Sequence, residues 1–301
     1  MKVFGFYLIY SIIWLFTLLP IRFLYVVSDV FYLLIYYVFG YRRAVVFDNL
    51  KHAFPEKNEH EITKIAKGFY RHFCDLIFET LKIIHFSKES INKRFHYRNI
   101  ELFDKLFEEG KSIVLISGHY GNWELTLTMP TQVKHRAFPV YKPLESKRFD
   151  KLINRIRGKF IERGGLVPMN EAFKKVIEEE RNHEKIVMYF LGDQTAPKNS
   201  KLWISFMNRE TPFYSGPEKI ARKFDHAVVF MNIDKVKRGY YEVEFIPLFD
   251  EPAKTKELEI TRKHVETLEY FIRKKPELWL WSHRRWKHQK ENVEDQDNFS
   301  S

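Results

Sequence analysis

Short runs of apolar, β-branched and aromatic residues recur between residues 112 and 246 and limit the fold more than any other feature. Runs of this length are typical of strands buried on both faces of a parallel sheet. Stretches with helical spacing alternate with them, which is typical of a layered α/β domain. The predicted strands are 112–116 (SIVLI), 137–141 (AFPVY), 166–167, 186–191 (IVMYFL), 227–233 and 240–246. We therefore expect a mostly parallel sheet flanked by helices.

The segments between the strands carry helix signals. Apolar residues recur at helical spacing between residues 59 and 84, and a cap candidate, Ser215, precedes a proline and an acid in a first turn. The predicted helices are 44–57, 59–84, 100–109, a stretch from about 122, 150–162, 170–181 with Asn170 as its cap, a stretch from 215, and 257–274. With no linker after residue 44, we expect one domain over 44–290 and a polar tail at 291–301.

Residues 3–39 are almost uninterrupted apolar and aromatic side chains, broken at Pro20 and Arg22. The run before Pro20 has the shortest length that spans a bilayer. Asp29 lies near the middle of the second run, where a charge inside a membrane is costly. Arg42 and Arg43 follow directly, and cations at this place favour a cytoplasmic position.

We accordingly expect residues 1–43 to be a membrane-associated segment. Within it, a helix over about 3–19 anchors the chain, and the protein partly covers a second helix over about 23–39. An interfacial hairpin hinged at Pro20 and a hairpin in a soluble core stay open as alternatives.

The chain carries 50 Lys and Arg against 39 Asp and Glu, a net charge of +11. Such an excess favours nucleic acid, an anionic membrane surface or an acidic substrate as partner. The cations are spread along the chain and no recognition motif occurs, so we expect no nucleic-acid partner. The single cysteine, Cys74, excludes an intramolecular disulfide. Its apolar context (HFCDLIF) predicts a buried small side chain rather than a nucleophile.

The segment SGHYGNWE, residues 117–124, follows the predicted strand 112–116. His119 comes after a glycine turn, at the edge where open α/β sheets bind ligands. A histidine and a glutamate five residues apart lie about 140° apart around a continuous helix. They meet only if His119 lies in the loop and Glu124 in the first helical turn. That arrangement is typical of a general base and the carboxylate that orients it.

Two interpretations of this pair stay open from the residues alone: a catalytic dyad, or a satisfied histidine with a solvated glutamate. Ser117 is close, but G-x-S-x-G is absent and no enzyme nucleophile accompanies the pair. H-E-x-x-H is absent and the other histidines are scattered, so we expect no metal. A dyad without a nucleophile predicts direct deprotonation of a substrate hydroxyl.

Eight blocks follow one another along the chain: the apolar N-terminus, NLKHAFPE (49–56), GHYGNWE (118–124), VYKPL (140–144), RIRGKF (155–160), GDQ (192–194), TPFYSGPEKIA (211–221) and PELWLWSHRRWK (276–287). In this order they resemble the lipid A biosynthesis acyltransferases of Gram-negative bacteria. These are the late lauroyl/myristoyl acyltransferases of the glycerophospholipid acyltransferase superfamily. The resemblance covers nearly the whole chain and implies a glycerolipid acyltransferase-like fold.

The resemblance implies transfer of an acyl chain from acyl-carrier protein or acyl-CoA to a hydroxyl of a membrane lipid, most directly a lipid A precursor. It implies no cofactor, and a catalytic domain on the cytoplasmic side of the bacterial inner membrane. A lysophospholipid or an aminolipid is the alternative acceptor. A non-catalytic membrane scaffold is a further alternative, and it predicts that His119 and Glu124 do not touch.

The resemblance implies that His119 is the general base and Glu124 its partner. The predicted substrate-binding residues are Asn122, Trp123, Lys142, Arg155, Arg157, Asp193 and Gln194. The family usually has arginine where Lys142 stands and aspartate where Thr195 stands, so these positions bear on donor or acceptor specificity. Three tryptophans and two arginines near the end are predicted either in the core or at the level of lipid headgroups: Trp279, Trp281, Arg284, Arg285 and Trp286.

Overall fold

The computed structural model of the protein describes residues 3–196, 200 and 202–288, so the predicted tail at 291–301 lies outside the described residues. Its strands are β1 (Phe95–Arg98), β2 (Ile113–Ser117), β3 (Arg136–Tyr141), β4 (Val167–Pro168), β5 (Ile186–Leu191), β6 (Trp203–Phe206), β7 (Arg209–Pro212), β8 (Ala227–Lys237) and β9 (Tyr240–Phe249). Its α-helices are α1 (Val3–Phe16), α2 (Ile21–Leu33), α3 (Arg43–Ala53), α4 (Glu59–Lys82), α5 (Lys88–Asn92), α6 (Glu101–Glu108), α7 (Lys147–Arg157), α8 (Ala172–Arg181), α9 (Gly216–Phe224) and α10 (Glu259–Lys274).

Seven strands form one sheet in the order β1-β9-β8-β2-β5-β3-β4. Neighbouring strands run parallel except β8 and β9, which are antiparallel. All five residues of β2 are buried, because strands pair with both its edges and helices cover both faces of the sheet. The predicted mostly parallel sheet with flanking helices is therefore confirmed.

The structure differs from the sequence prediction at several elements. β1 and the β6–β7 hairpin were not predicted. The hairpin turns through Met207 and Asn208, both with positive φ, and lacks the Asn-Gly or Asp-Gly pair that signals such turns. Asn170 is not the cap of α8: it lies in a 3-10 turn, and Glu171 precedes the helix. The helical stretch predicted from about residue 122 begins at Leu125 and is a 3-10 helix, Leu125–Thr131.

The buried core contains Cys74, as predicted, and residues near the end of the chain whose place the sequence left open. Cys74 is fully buried in α4, and burial raises the pKa of its thiol to about 12, as expected for an inert small side chain. Trp279, Trp281 and Arg285 are buried as well, which places them in the core and not at a headgroup level. The Arg285 guanidinium lies 4.4 Å from the centre of the Phe213 ring.

The N-terminal helices lie against α4. α2 continues as a π-helical turn, Leu34–Val38, and buries one side of its surface. The other side exposes a row of apolar residues that includes Phe23, Val26, Val30 and Leu33. Among the described residues one helix, Ile21–Val38, is long and apolar enough to cross a membrane by length and composition, and 22% of it is buried.

The first N-terminal helix is shorter than the anchor helix predicted over about 3–19, whereas the second agrees with its prediction. The 14 described residues of α1 rise about 21 Å, less than the roughly 30 Å of a bilayer core. The second helix is partly covered by protein, as expected. Asp29, which interrupts its apolar run, forms an ion pair of 2.8 Å with Arg238 from the β8–β9 turn.

Candidate active site

The loop after β2 carries His119. The Ser117 hydroxyl donates to the Met231 carbonyl of β8 over 2.8 Å and fixes the end of β2. Gly121 has a φ of +63°, and a Cβ at this position would lie 2.5 Å from the Ile233 carbonyl oxygen. Glycine is therefore required for the loop to turn this close to β8.

Asp193 is the hydrogen-bonded partner of His119. It follows β5, the neighbour of β2, and the Gly192 amide donates to the Ser117 carbonyl over 2.8 Å, which brings the two strand ends together. The Asp193 Oδ1 lies 2.6 Å from the His119 Nδ1. Its Oδ2 accepts the backbone amide of His119 and the indole N–H of Trp279, each over 2.8 Å.

These contacts determine the protonation state of the Asp193 carboxyl group. Burial raises the pKa of Asp193, but the adjacent His119 ring and the hydrogen bonds from His119 and Trp279 outweigh it and hold the pKa well below its usual range. The carboxylate is therefore ionised and accepts the proton on Nδ1. The opposite nitrogen, Nε2, keeps its lone pair, and the Gln194 side-chain amide donates to it over 3.1 Å.

The predicted hydrogen bond between His119 and Glu124 is wrong. Glu124 lies just before the 3-10 helix and binds Arg157 of α7 through both carboxylate oxygens, at 2.9 Å to Nε and 2.5 Å to Nη2. The place expected for Glu124 at the imidazole is taken by Asp193, because parallel strand ends bring together residues far apart in sequence. Glu124 and His119 nevertheless line the same cavity.

That cavity has a volume of about 590 Å³ and opens at the carboxyl edge of β2, β3 and β5. Its polar end contains His119, Glu124, Arg157 and Gln194. Much of the remaining wall is apolar: Val140, Leu144, Leu166, Met169, Phe173, Phe190 and Ile220. An elongated apolar group is thus able to lie in the cavity with one end beside the imidazole.

Only some of the other predicted substrate-binding residues lie at the cavity. Trp123 lines the cavity, and its ring lies edge-on to the imidazole with 5.0 Å between centres. Lys142 is exposed at the mouth. Arg155 is exposed on α7 and is not among the described residues that line the cavity, in contrast to Arg157 two positions on. Thr195 donates its hydroxyl to the Arg285 carbonyl over 3.0 Å.

Asn122 is fully buried and supports the loop from behind. Its side-chain amide donates to Glu79 of α4 over 2.5 Å, and its oxygen accepts the Leu125 amide over 3.3 Å. Glu79 also accepts the hydroxyls of Tyr25 from α2 and Tyr241 from β9, each over 2.8 Å. One buried carboxylate therefore connects the N-terminal helix, the sheet and the loop of His119.

A second residue of α4 holds the same loop. The His72 Nε2 lies 3.0 Å from the Gly121 carbonyl and donates to it. Burial, together with the charge of Lys235, lowers the pKa of His72 to about 3, so its ring is neutral. The loop that carries His119 is thus fixed on the α4 side by His72 and Glu79.

The profile of the bacterial lipid A biosynthesis acyltransferases matches residues 1–288 of the chain. The chain belongs to this family. A lipid A biosynthesis acyltransferase of Haemophilus influenzae is 24% identical over 241 residues, which is 77% of this chain and 72% of the relative. The lipid A acyltransferase family is thus the one predicted from the ordered sequence blocks, and membership makes the protein an acyltransferase of lipid A biosynthesis.

Two features of the site escaped the sequence reasoning. Asp193 was predicted beside the site but not as the partner of the imidazole, and Trp279 was not predicted to contact it. The contact between His119 and Asp193 could have been predicted in part from the strands, because each residue stands two positions after a buried parallel strand. Adjacent strands of this kind bring their following residues into contact.

Proposed function

We propose that this lipid A acyltransferase moves a fatty acyl chain from a thioester onto a hydroxyl of a lipid A precursor, with His119 as general base. The observation that carries the proposal is the contact of Asp193 with the Nδ1 side of His119 at one end of a largely apolar cavity. The donor is acyl-carrier protein or acyl-CoA, and no cofactor takes part.

The ionised Asp193 keeps the proton on Nδ1 and leaves Nε2 as the base. The acceptor hydroxyl displaces the Gln194 amide from Nε2 and gives up its proton as its oxygen attacks the thioester carbonyl. The tetrahedral intermediate then collapses with cleavage of the C–S bond. The thiolate leaves with the proton from the imidazolium, which restores neutral His119.

In this proposal Glu124 is not the partner of the imidazole that its spacing from His119 suggested. It accepts two hydrogen bonds from the Arg157 guanidinium, whose side chain is partly exposed to the cavity. A bidentate carboxylate fixes the plane of a guanidinium. Glu124 therefore positions Arg157, which stabilises the negative charge on the intermediate or on a phosphate of the lipid acceptor.

The apolar wall of the cavity takes the acyl chain of the donor, and Trp123 covers the imidazole from one side. Lys142, exposed at the mouth, meets the anionic part of the donor or the lipid. Residues 1–43 attach the domain to the cytoplasmic face of the inner membrane, and the domain itself covers 44–290.

The test is the lipid A of a strain that lacks this protein, analysed by mass spectrometry. We expect lipid A that lacks one secondary acyl chain. Wild-type protein should restore it, whereas the His119→Ala variant, produced at equal level, should not. Unchanged lipid A together with an altered phospholipid or aminolipid would show that the acceptor is that other lipid. Full complementation by His119→Ala would refute the role of the imidazole.

A further inference from the structure

The turn between β8 and β9 extends past the edge of the sheet that carries the site. The last β8 residue paired with β2 is Phe230, opposite Ile116, but β8 continues to Lys237. Seven further residues rise about 23 Å at the spacing of a strand. β9 returns from Tyr240, so the two strands project together on the same side of the sheet as His119.

The tip of this hairpin exposes an apolar side chain among cations. The pairing of the two strands shifts between Lys235 and Lys237, which leaves Val236 as the extra residue of a β-bulge. Bulges redirect side chains, and Val236 is 64% exposed. The Lys237 ammonium lies 4.4 Å from the centre of the Tyr240 ring, itself exposed at the start of β9.

The tip also contacts the apolar helix α2. Arg238 donates to the Tyr25 carbonyl over 3.1 Å and pairs with Asp29 at 2.8 Å, which balances the carboxylate on the helix. Arg94 holds the turn, since its guanidinium donates to the Gly239 carbonyl over 3.2 Å. The hairpin tip thus lies beside the helix whose outer side is a row of exposed apolar residues.

The charge left without an ion pair at this place is positive. Asp29 is paired with Arg238, and among the described residues neither Arg94 nor Lys237 forms an ion pair with a carboxylate. An exposed apolar and aromatic tip among uncompensated cations matches the boundary between the anionic headgroups and the acyl chains of a bilayer.

We propose that the β8–β9 turn is a second membrane contact, which inserts Val236 into an anionic bilayer beside α2 while Lys237 and Arg94 bind its headgroups. This contact rests on the membrane attachment proposed above. It gives the domain two points of attachment on the edge of the sheet where the cavity opens, and so orients the site toward the lipid acceptor.

The experiment uses the full chain with one added cysteine. Cys74 is fully buried, so the unsubstituted protein should take no maleimide label while folded. Labels sensitive to polarity are placed at Val236→Cys, at Val30→Cys on the exposed side of α2, and at Lys254→Cys. Lys254 follows β9, about 30 Å from the tip along the strands, and is a matched exposed control.

Each labelled protein is mixed with phosphatidylglycerol vesicles that contain lipids with brominated acyl chains. We expect a blue shift and quenching at positions 236 and 30 and neither at 254. Quenching at 30 without quenching at 236 would overturn this proposal and leave the attachment of α2 intact. An unchanged signal at both would refute the attachment as well. Quenching at 254, or a shift at 236 that grows with protein concentration without vesicles, would also overturn the proposal.

Binding to vesicles gives an independent measure. Lys237→Gln should lower the partition onto phosphatidylglycerol vesicles about fivefold, the effect of one cation near an anionic surface. Partition onto neutral phosphatidylcholine vesicles should change little. Equal partition of both proteins onto anionic vesicles would contradict the role of Lys237.

Discussion

Replacement of Asp193 by asparagine tests the role of the imidazole with the smallest change of shape. The Oδ2 of Asp193 accepts the His119 amide and the Trp279 indole, and the asparagine oxygen is able to accept both. The asparagine nitrogen would then face Nδ1 as a donor in place of an acceptor. The imidazole would have to place its proton on Nε2, the nitrogen that must accept the substrate proton.

The expected loss of activity follows because this tautomer removes general-base catalysis. General-base action contributes about 100- to 10,000-fold, so kcat should fall by roughly that factor, about 3 to 5.5 kcal/mol in the activation free energy. The assay follows acyl transfer to a lipid A precursor in detergent micelles. Thermal unfolding of the same samples shows whether the fold is retained. The Asp193→Glu variant keeps an acceptor and should recover part of the lost activity. A folded Asp193→Asn variant with a kcat within tenfold of wild type would refute the account.

Three further predictions concern the surroundings of the base. Arg157→Lys keeps a charge but loses the two parallel hydrogen bonds to Glu124, and steady-state kinetics should show a loss of about 10- to 100-fold in kcat/KM; an unchanged value would contradict the positioning of the guanidinium. Gly121→Ala forces a side chain into a positive φ and against a backbone oxygen, and urea unfolding should show a loss of at least about 1–3 kcal/mol. Stability should also fall as the pH falls below about 6.5, because the buried His72 and His264 and the half-buried His283 are neutral in the fold and bind protons when unfolded. Burial lowers their pKa values to about 3, 4 and 4 in the order His72, His264 and His283. Each should remove up to roughly 1.4 kcal/mol per pH unit. Thermal unfolding from pH 7.5 to 5.5 measures this slope, and His72→Asn should make it shallower.

Much of the fold is readable from the sequence because it rests on local patterns. The runs SIVLI and IVMYFL are almost wholly apolar, and only strands buried on both faces tolerate such sequences, so β2 and β5 were found within about a residue of their true bounds. β1 reads FHYR and alternates buried and exposed residues at the edge of the sheet, a pattern of four residues that is too short to detect. The strands of the β6–β7 hairpin are equally short, and its turn contains no glycine, so neither the strands nor the turn could be detected.

The candidate site was predicted only in part, because pairing between side chains is a property of the tertiary structure. The spacing of His119 and Glu124 suggested a contact within one loop. The sheet instead places Asp193, 74 residues further on, against the imidazole, and α7 brings Arg157 to Glu124. The same limit applies to Asn122, which points to a buried carboxylate of α4 rather than to the cavity.

The most direct measurement of the central claim is acyl transfer by the purified protein. The protein is incubated with an acyl thioester of acyl-carrier protein and a lipid A precursor, and the lipid is analysed by mass spectrometry. The account predicts a product heavier by one acyl chain, attached through an ester that hydroxylamine cleaves, and no product with the folded His119→Ala variant. An amide-linked product, or equal product from wild type and His119→Ala, would contradict it.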